Sequence, residues 1–243
     1  MQPSHPSTQP SLDHAFPRVS DFQRRMQRSA GAADTMAGST RLSALDASLL
    51  QDLRRFEPAA SQPGVGLEVL EVVAAAVRHG RALTLMLAHD ERVLPMTVLP
   101  AEHLVHAPLP LPQWALLRWS QLKVLHVERA LGEPLTEPGA SHSAPLALVL
   151  WALALNGARA ELLPEIAGSV AYRIAPGTDL SALDLRGALG AAVNKLRRNT
   201  STLSEMGAWP GFDRERAMRL LNGLYLQAGL MVSRAHPAAT GPH

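Results

Sequence analysis

"RALTLMLAHDERVLPMTVLPAEHLVHAP", Arg81 to Pro108, is the stretch on which the fold turns. Leu83, Leu85 and Leu87 recur at every second position, so in an extended chain they share one face while their neighbours take the other. "AHDER" interrupts the alternation as a turn, and it resumes in "VLPMTVL" and "HLVHA". The pattern predicts a small antiparallel meander. Pro95 and Pro100 have no N–H to give to a ladder, which predicts that these strands are edges or short pieces.

The period changes on both sides of the meander. Before it, "LEVLEVVAAAVRHG" places Leu67, Leu70, Val73, Ala74 and Val77 on one helical face, with Gly80 set to stop the helix. After it, "LPQWALLRWSQL" returns to a helical pattern and "KVLHVE" reads as a last strand, so residues 65–130 form one α+β unit. Upstream, "RLSALDASLLQDLRRF" carries Leu42, Leu45, Leu49, Leu50 and Leu53 at helical spacing and runs into the linker "EPAASQPGVG". Met1 to Thr40 is rich in Pro, Ser, Gln and Gly and poor in large apolar residues, a composition that does not repay the entropy of ordering. It reads as a disordered arm, in which "DFQRRMQRSAG" is either a solvated segment or a brief basic helix from Asp21. The arm lacks the basic start and continuous apolar stretch of a secretory signal.

Downstream, "ALGEPLTEPGASHS" has no periodicity and several turn formers, which puts a boundary near Glu133 to Ser143. The apolar run Ala144 to Leu155 is shorter than the roughly 20 helical residues needed to cross a bilayer, so it reads as a core helix ending at Asn156 and Gly157. "SVAYRIAPG" alternates Val170, Tyr172 and Ile174 as a short extended piece, and "LRGALGAAVNKLRRN" is a basic helix. The expected organisation is a disordered arm at 1–40, an α+β domain at 41–132, a mainly helical winged-helix-like domain at 144–234 and a disordered tail at 235–243. The fold class is α+β.

"TLSEMGAWPGFDRERAMRLLNGLYLQAGLMV", Thr202 to Val232, predicts a helix-turn-helix. Thr202 and Glu205 form a capping-box pair, Pro210 and Gly211 make the turn, and Asp213 caps a longer helix. On that helix Ala217, Leu220, Leu221, Leu224 and Ala228 make the buried face, while Glu215, Arg219, Asn222, Gly223 and Leu226 lie opposite. Gly229 releases the chain into "LMVSR", which begins a strand of a wing. Between Arg186 and Arg219 there are seven basic residues and three acidic ones, a local surplus of four. The contact candidates, for a protein partner or for DNA, are Arg197, Arg198, Arg214, Arg216, Arg219 and Asn222. Arg and Asn side chains suit base edges and phosphates. Glu215, Leu226 and Gly223 on the outer face argue instead for packing or protein contact.

Other chemistry finds little footing. The absence of cysteine excludes disulfides and thiolate sites. "HLVH" spaces His103 and His106 as helical metal ligands would be, but on a strand they face apart, so no metal site is expected. "GVG" at Gly64 to Gly66 lacks the strand, third glycine and lysine of a phosphate loop. No nucleophile elbow or spaced carboxylate pair is present, and the chain is expected to be no enzyme and to need no cofactor. Trp114, Trp119 and Trp151 lie in apolar helical stretches and read as core residues rather than stacking platforms. A formal net charge of only +2 provides no global attraction for nucleic acid.

"EVLEVVAAAVRHGRALTLMLAHDERVLPMTVLPAEHLVHAPL" followed by "WALLRWSQLKVLHVE" resembles the bacterial PATAN-type signalling domain, whose meander ends in a Val-His-Ala signature matched by Val105, His106 and Ala107. "PAEH" replaces the family's Asp-Gly turn, and Gln121 stands where a glycine is expected. The C-terminal "LYLQAGLMV" is similar to winged-helix units; together the likenesses cover residues 67–128 and 185–233. The resemblance implies a non-catalytic cytoplasmic adaptor or scaffold, as in two-component, motility or surface-behaviour pathways, relaying signals through protein contacts. The alternative is a winged helix-turn-helix transcription regulator. No membrane insertion is expected, and the oligomeric state stays open.

Overall fold

The computed structural model describes residues 16–33, 47–54, 68–114, 118–130 and 142–234. The linkers expected at 57–66 and 133–141, the tail at 235–243 and the arm apart from 16–33 lie outside the described residues. In chain order, helices α1 (Val19–Ala33), α2 (Ala47–Arg54) and α3 (Val69–His79) precede strands β1 (Leu83–His89), β2 (Arg92–Leu99) and β3 (Leu104–Ala107). A single turn α4 (Leu111–Trp114), strand β4 (Lys123–Arg129), strand β5 (His142–Pro145) and helix α5 (Leu146–Asn156) follow. The C-terminal part comprises β6 (Ala171–Ile174), α6 (Ala188–Arg198), β7 (Ser201–Thr202), α7 (Leu203–Gly207), α8 (Arg214–Leu226) and β8 (Leu230–Ser233). The protein is thus α+β.

The first sheet is antiparallel throughout, in the order β4-β1-β2-β3-β5. Leu83, Leu85 and Leu87 of β1 and Leu94, Met96 and Val98 of β2 point to one face and are almost fully buried, as the alternation requires. Helices α3 and α5 supply the other wall of this core. The end of α3 requires glycine. Gly80 sits at φ 59°, its N–H reaches Val77 C=O, and the next N–H, of Arg81, reaches Ala76 C=O. This Schellman turn is left-handed, so Gly80→Ala is expected to destabilise the fold by about 1–2 kcal/mol, read from a chemical denaturation midpoint.

Several expectations need correction. β2 is flanked on both sides, and Pro95 is tolerated there because β3 pairs only with Thr97 to Leu99, leaving the Pro95 stretch without a ladder on that side. The Pro17–Val19 segment adds to β2 just beyond: Val93 N–H donates to Pro17 C=O and Val19 N–H to Glu91 C=O. It leads into α1, so the brief basic helix is formed and runs past both ends of "DFQRRMQRSAG". The helix expected from "LPQWALLRWSQL" is reduced, among the described residues, to α4 and a 3-10 turn at Trp119–Gln121. His142 and Ser143, read as linker, pair with β3 as part of β5.

Helix α5 is apolar all round because both its sides are covered. Leu146, Val149, Leu150, Leu153 and Ala154 face the first core, while Trp151, Leu148 and Leu155 belong to a second one. That second core gathers Tyr172 and Ile174 of β6, Leu196 of α6, Met206 of α7 and Leu220, Leu221 and Leu224 of α8. Its sheet is antiparallel in the order β7-β6-β8. α5 and α8 cross so closely at Gly223 that an added Cβ would lie 2.8 Å from the Trp151 ring. The caps are as the sequence dictates: Thr202 and Glu205 close a capping box, and Asp213 accepts the Arg216 N–H at 2.7 Å. Gly211, at φ 75°, carries the turn between α7 and α8.

Candidate functional site

The six contact candidates separate into an inward and an outward group. Asn222 is fully buried: its Oδ1 accepts the Leu163 N–H at 2.9 Å and its Nδ2 donates to Glu161 C=O at 2.8 Å. Arg219 lies against the end of α5, where Nη1 donates to Gly157 C=O at 2.8 Å while Nε reaches Glu215 at 2.9 Å. The expectation that Asn222 meets a partner is therefore corrected. The face of α8 read as outward, with Gly223 and Leu226, is pressed against α5 and the loop that follows it, because that loop's backbone polar groups need the Asn222 amide and Arg219 guanidinium. Ala228, read as part of the apolar stripe, is exposed past the helix end at φ 52°.

Arg197, Arg198, Arg214 and Arg216 do lie on the surface. Arg197 donates to Thr178 C=O, within electrostatic reach of the Asp179 carboxylate, and Arg216 donates to Gly211 C=O. The three carboxylates of the segment are engaged locally: Glu205 and Asp213 in caps, Glu215 with Arg219. Sequence reasoning missed Lys195 and the aromatic pair of the turn. Lys195 Nζ sits 4.4 Å from the centroid of Trp209, and Arg216 stacks at 5.3 Å over Phe212, itself edge-on to Trp209. The signal available was "WPGF" within a cationic stretch, two aromatics on a turn. The result is a cationic face over rigid aromatics.

A second polar cluster joins residues that no local sequence rule connects. Arg159, in the loop after α5, ties Glu161 and Leu162 carbonyls to the carboxylates of Glu68 and Glu71 at the start of α3. Burial pushes the Glu71 carboxyl up to about 7; Arg159 and Arg78 oppose that shift and Glu68 adds to it. Near the other end of α3, Arg78 joins Asp52 of α2 at 2.7 Å and Glu165 of the same loop, with His79 at 3.3 Å from Asp52. Burial acts to raise the Asp52 carboxyl, but Arg78 and His79 prevail and hold it below its usual value. Both clusters fasten the loop at 159–165 to α3.

His103 adopts a left-handed backbone at φ 56°, and His106, on β3, lies 3.4 Å from Ser143 Oγ. Among the described residues no three histidine or acidic side chains converge to hold a metal ion. Gly64 to Gly66 fall outside the described residues. Trp114, Trp119 and Trp151 are buried, as their apolar surroundings suggest. No helix among the described residues is long and apolar enough to cross a membrane. Comparison of the chain with protein-family models, with curated proteins and with solved structures gave no match.

Proposed function

We propose that the chain is a non-catalytic bacterial signalling adaptor or scaffold that acts in the cytoplasm through protein–protein contacts, as its PATAN-like sequence pattern implies. The observation that supports this reading is the disposition of α8. A base-reading helix must bring its polar face into the major groove. Here that face is spent on Glu161, Leu163 and Gly157, and beyond the first turn the helix is mostly buried. What remains outside is Lys195, Arg197, Arg198, Arg214 and Arg216, a cationic surface suited to an acidic protein.

Affinity capture by the full chain tests this, comparing wild type with Arg214→Glu/Arg216→Glu at rising salt. A specific partner should be retained at low ionic strength, released as salt rises, and captured about tenfold less well by the double variant. Salt-dependent duplex binding that the same double variant abolishes, with no protein captured, would replace the adaptor by a winged-helix transcription regulator.

A further inference from the structure

We propose that the open edge of β8 receives an extended acidic segment of a partner protein as a fourth strand of the C-terminal sheet. The inference rests on the adaptor reading and names what the partner presents. β8 pairs with β6 on one side, and among the described residues no strand pairs with the other. Exposed edges are normally blunted by charge, proline or brevity. β4 carries Lys123, Glu128 and Arg129, β5 ends in Pro145, and β7 is only the pair Ser201–Thr202. β8, "LMVS", has no charge and no proline. It also holds Met231, 52% exposed and the one large apolar side chain exposed among the described residues.

The ladder shows which groups are on offer. Ala175 N–H donates to Gly229 C=O at 2.9 Å, and in the β6–β8 register hydrogen-bonded pairs then fall at Arg173↔Met231 and Ala171↔Ser233. Leu230 and Val232 therefore turn their N–H and C=O groups away from β6. An added strand finds two donors and two acceptors there, with Met231 to set against an apolar residue. Charge selects among occupants. Arg173 is exposed directly across from Met231, and Arg234 follows the strand. Two copies paired through β8 would bring these guanidiniums together, whereas an acidic strand is attracted by all of them.

The test is fluorescence anisotropy of a labelled alternating glutamate–valine heptapeptide titrated with the full chain. Wild type should bind it saturably and more weakly as salt rises, and should ignore the lysine–valine counterpart and a version with proline at the central valine. Val232→Pro removes an outward N–H and leaves the hydrogen bonds to β6 in place, though it trims a half-buried side chain packed on the second core; it should weaken binding about tenfold with an unchanged circular dichroism spectrum and a modestly lower melting temperature. Arg173→Glu/Arg234→Glu, both exposed, should have a similar effect and serves if the proline variant misfolds. Absence of saturable binding, undiminished binding by both variants, or self-association that Val232→Pro removes would overturn the proposal. If the β8 variants retain a captured partner that Arg214→Glu/Arg216→Glu loses, the edge proposal fails and the adaptor stands. If the peptide binds as expected while no partner is captured, the edge site stands and the adaptor fails.

Discussion

Arg159→Ala is expected to lower stability by about 3–5 kcal/mol near pH 8, the largest single effect foreseen for this chain, because it leaves the Glu71 carboxylate buried beside Glu68 with its principal counter-charge gone. Its pH dependence identifies the cause. Folding raises Glu71 from 4.5 to about 7, so between those values the native state holds a proton that the unfolded chain has released. The neutral carboxyl's advantage is fully present below about pH 4.5 and is lost as pH climbs through 7, by up to about 3 kcal/mol. Wild-type stability should thus fall across that window, and Glu71→Gln should flatten the slope. At pH 5, where Glu71 is already neutral, the Arg159→Ala loss should be smaller by up to about 1.4 kcal/mol, the most that ionisation at pH 8 allows for a carboxyl near 7. Urea titrations at the two pH values check this; equal losses would exclude Glu71 as the responsible group.

The second large effect is expected at Asn222. Truncation to alanine strands the Leu163 N–H and the Glu161 C=O in the crowded space between α8 and the loop, at a cost of about 2–4 kcal/mol. Partner capture at a temperature where the variant remains folded should be unchanged, since the side chain never reaches the surface. Arg214→Glu/Arg216→Glu should show the reverse, normal stability with lost capture. A variant of Asn222 that melted normally but bound weakly would return this residue to the surface and undo the assignment of α8 as a packing helix.

Glu71 and Asn222 both lie beyond the reach of local sequence rules. Those rules carried the meander, Gly80, the Thr202–Glu205 box and the Asp213 cap, because each depends on neighbours a few positions apart. β5 escaped because "HSAP" is too short for alternation and gains strand geometry only by lying beside β3. Asn222 and Arg219 were polar residues on a helix wheel, and a wheel does not reveal that a distant loop will need their hydrogen bonds. Glu71 did leave a trace, a lone carboxylate within "VLEVVAAAV", but its partner Arg159 is 88 residues away. Of the candidate site, the outward arginines were legible as a charge surplus. Their aromatic support at Trp209 and Phe212 depended on a tertiary turn.

The two-sided burial of α5 has a consequence for how the chain can be divided. A fragment stopping before Leu146 would leave the Leu83–Leu85–Leu87 face covered by α3 without the α5 part of its wall, and one beginning after Gly157 would leave Leu220 and Leu224 without the Trp151 side of their enclosure. Neither half is an exchangeable cassette. A force applied to one sheet bears on the same helix that braces the other, so whatever docks at either end meets a single girder rather than two beads on a string.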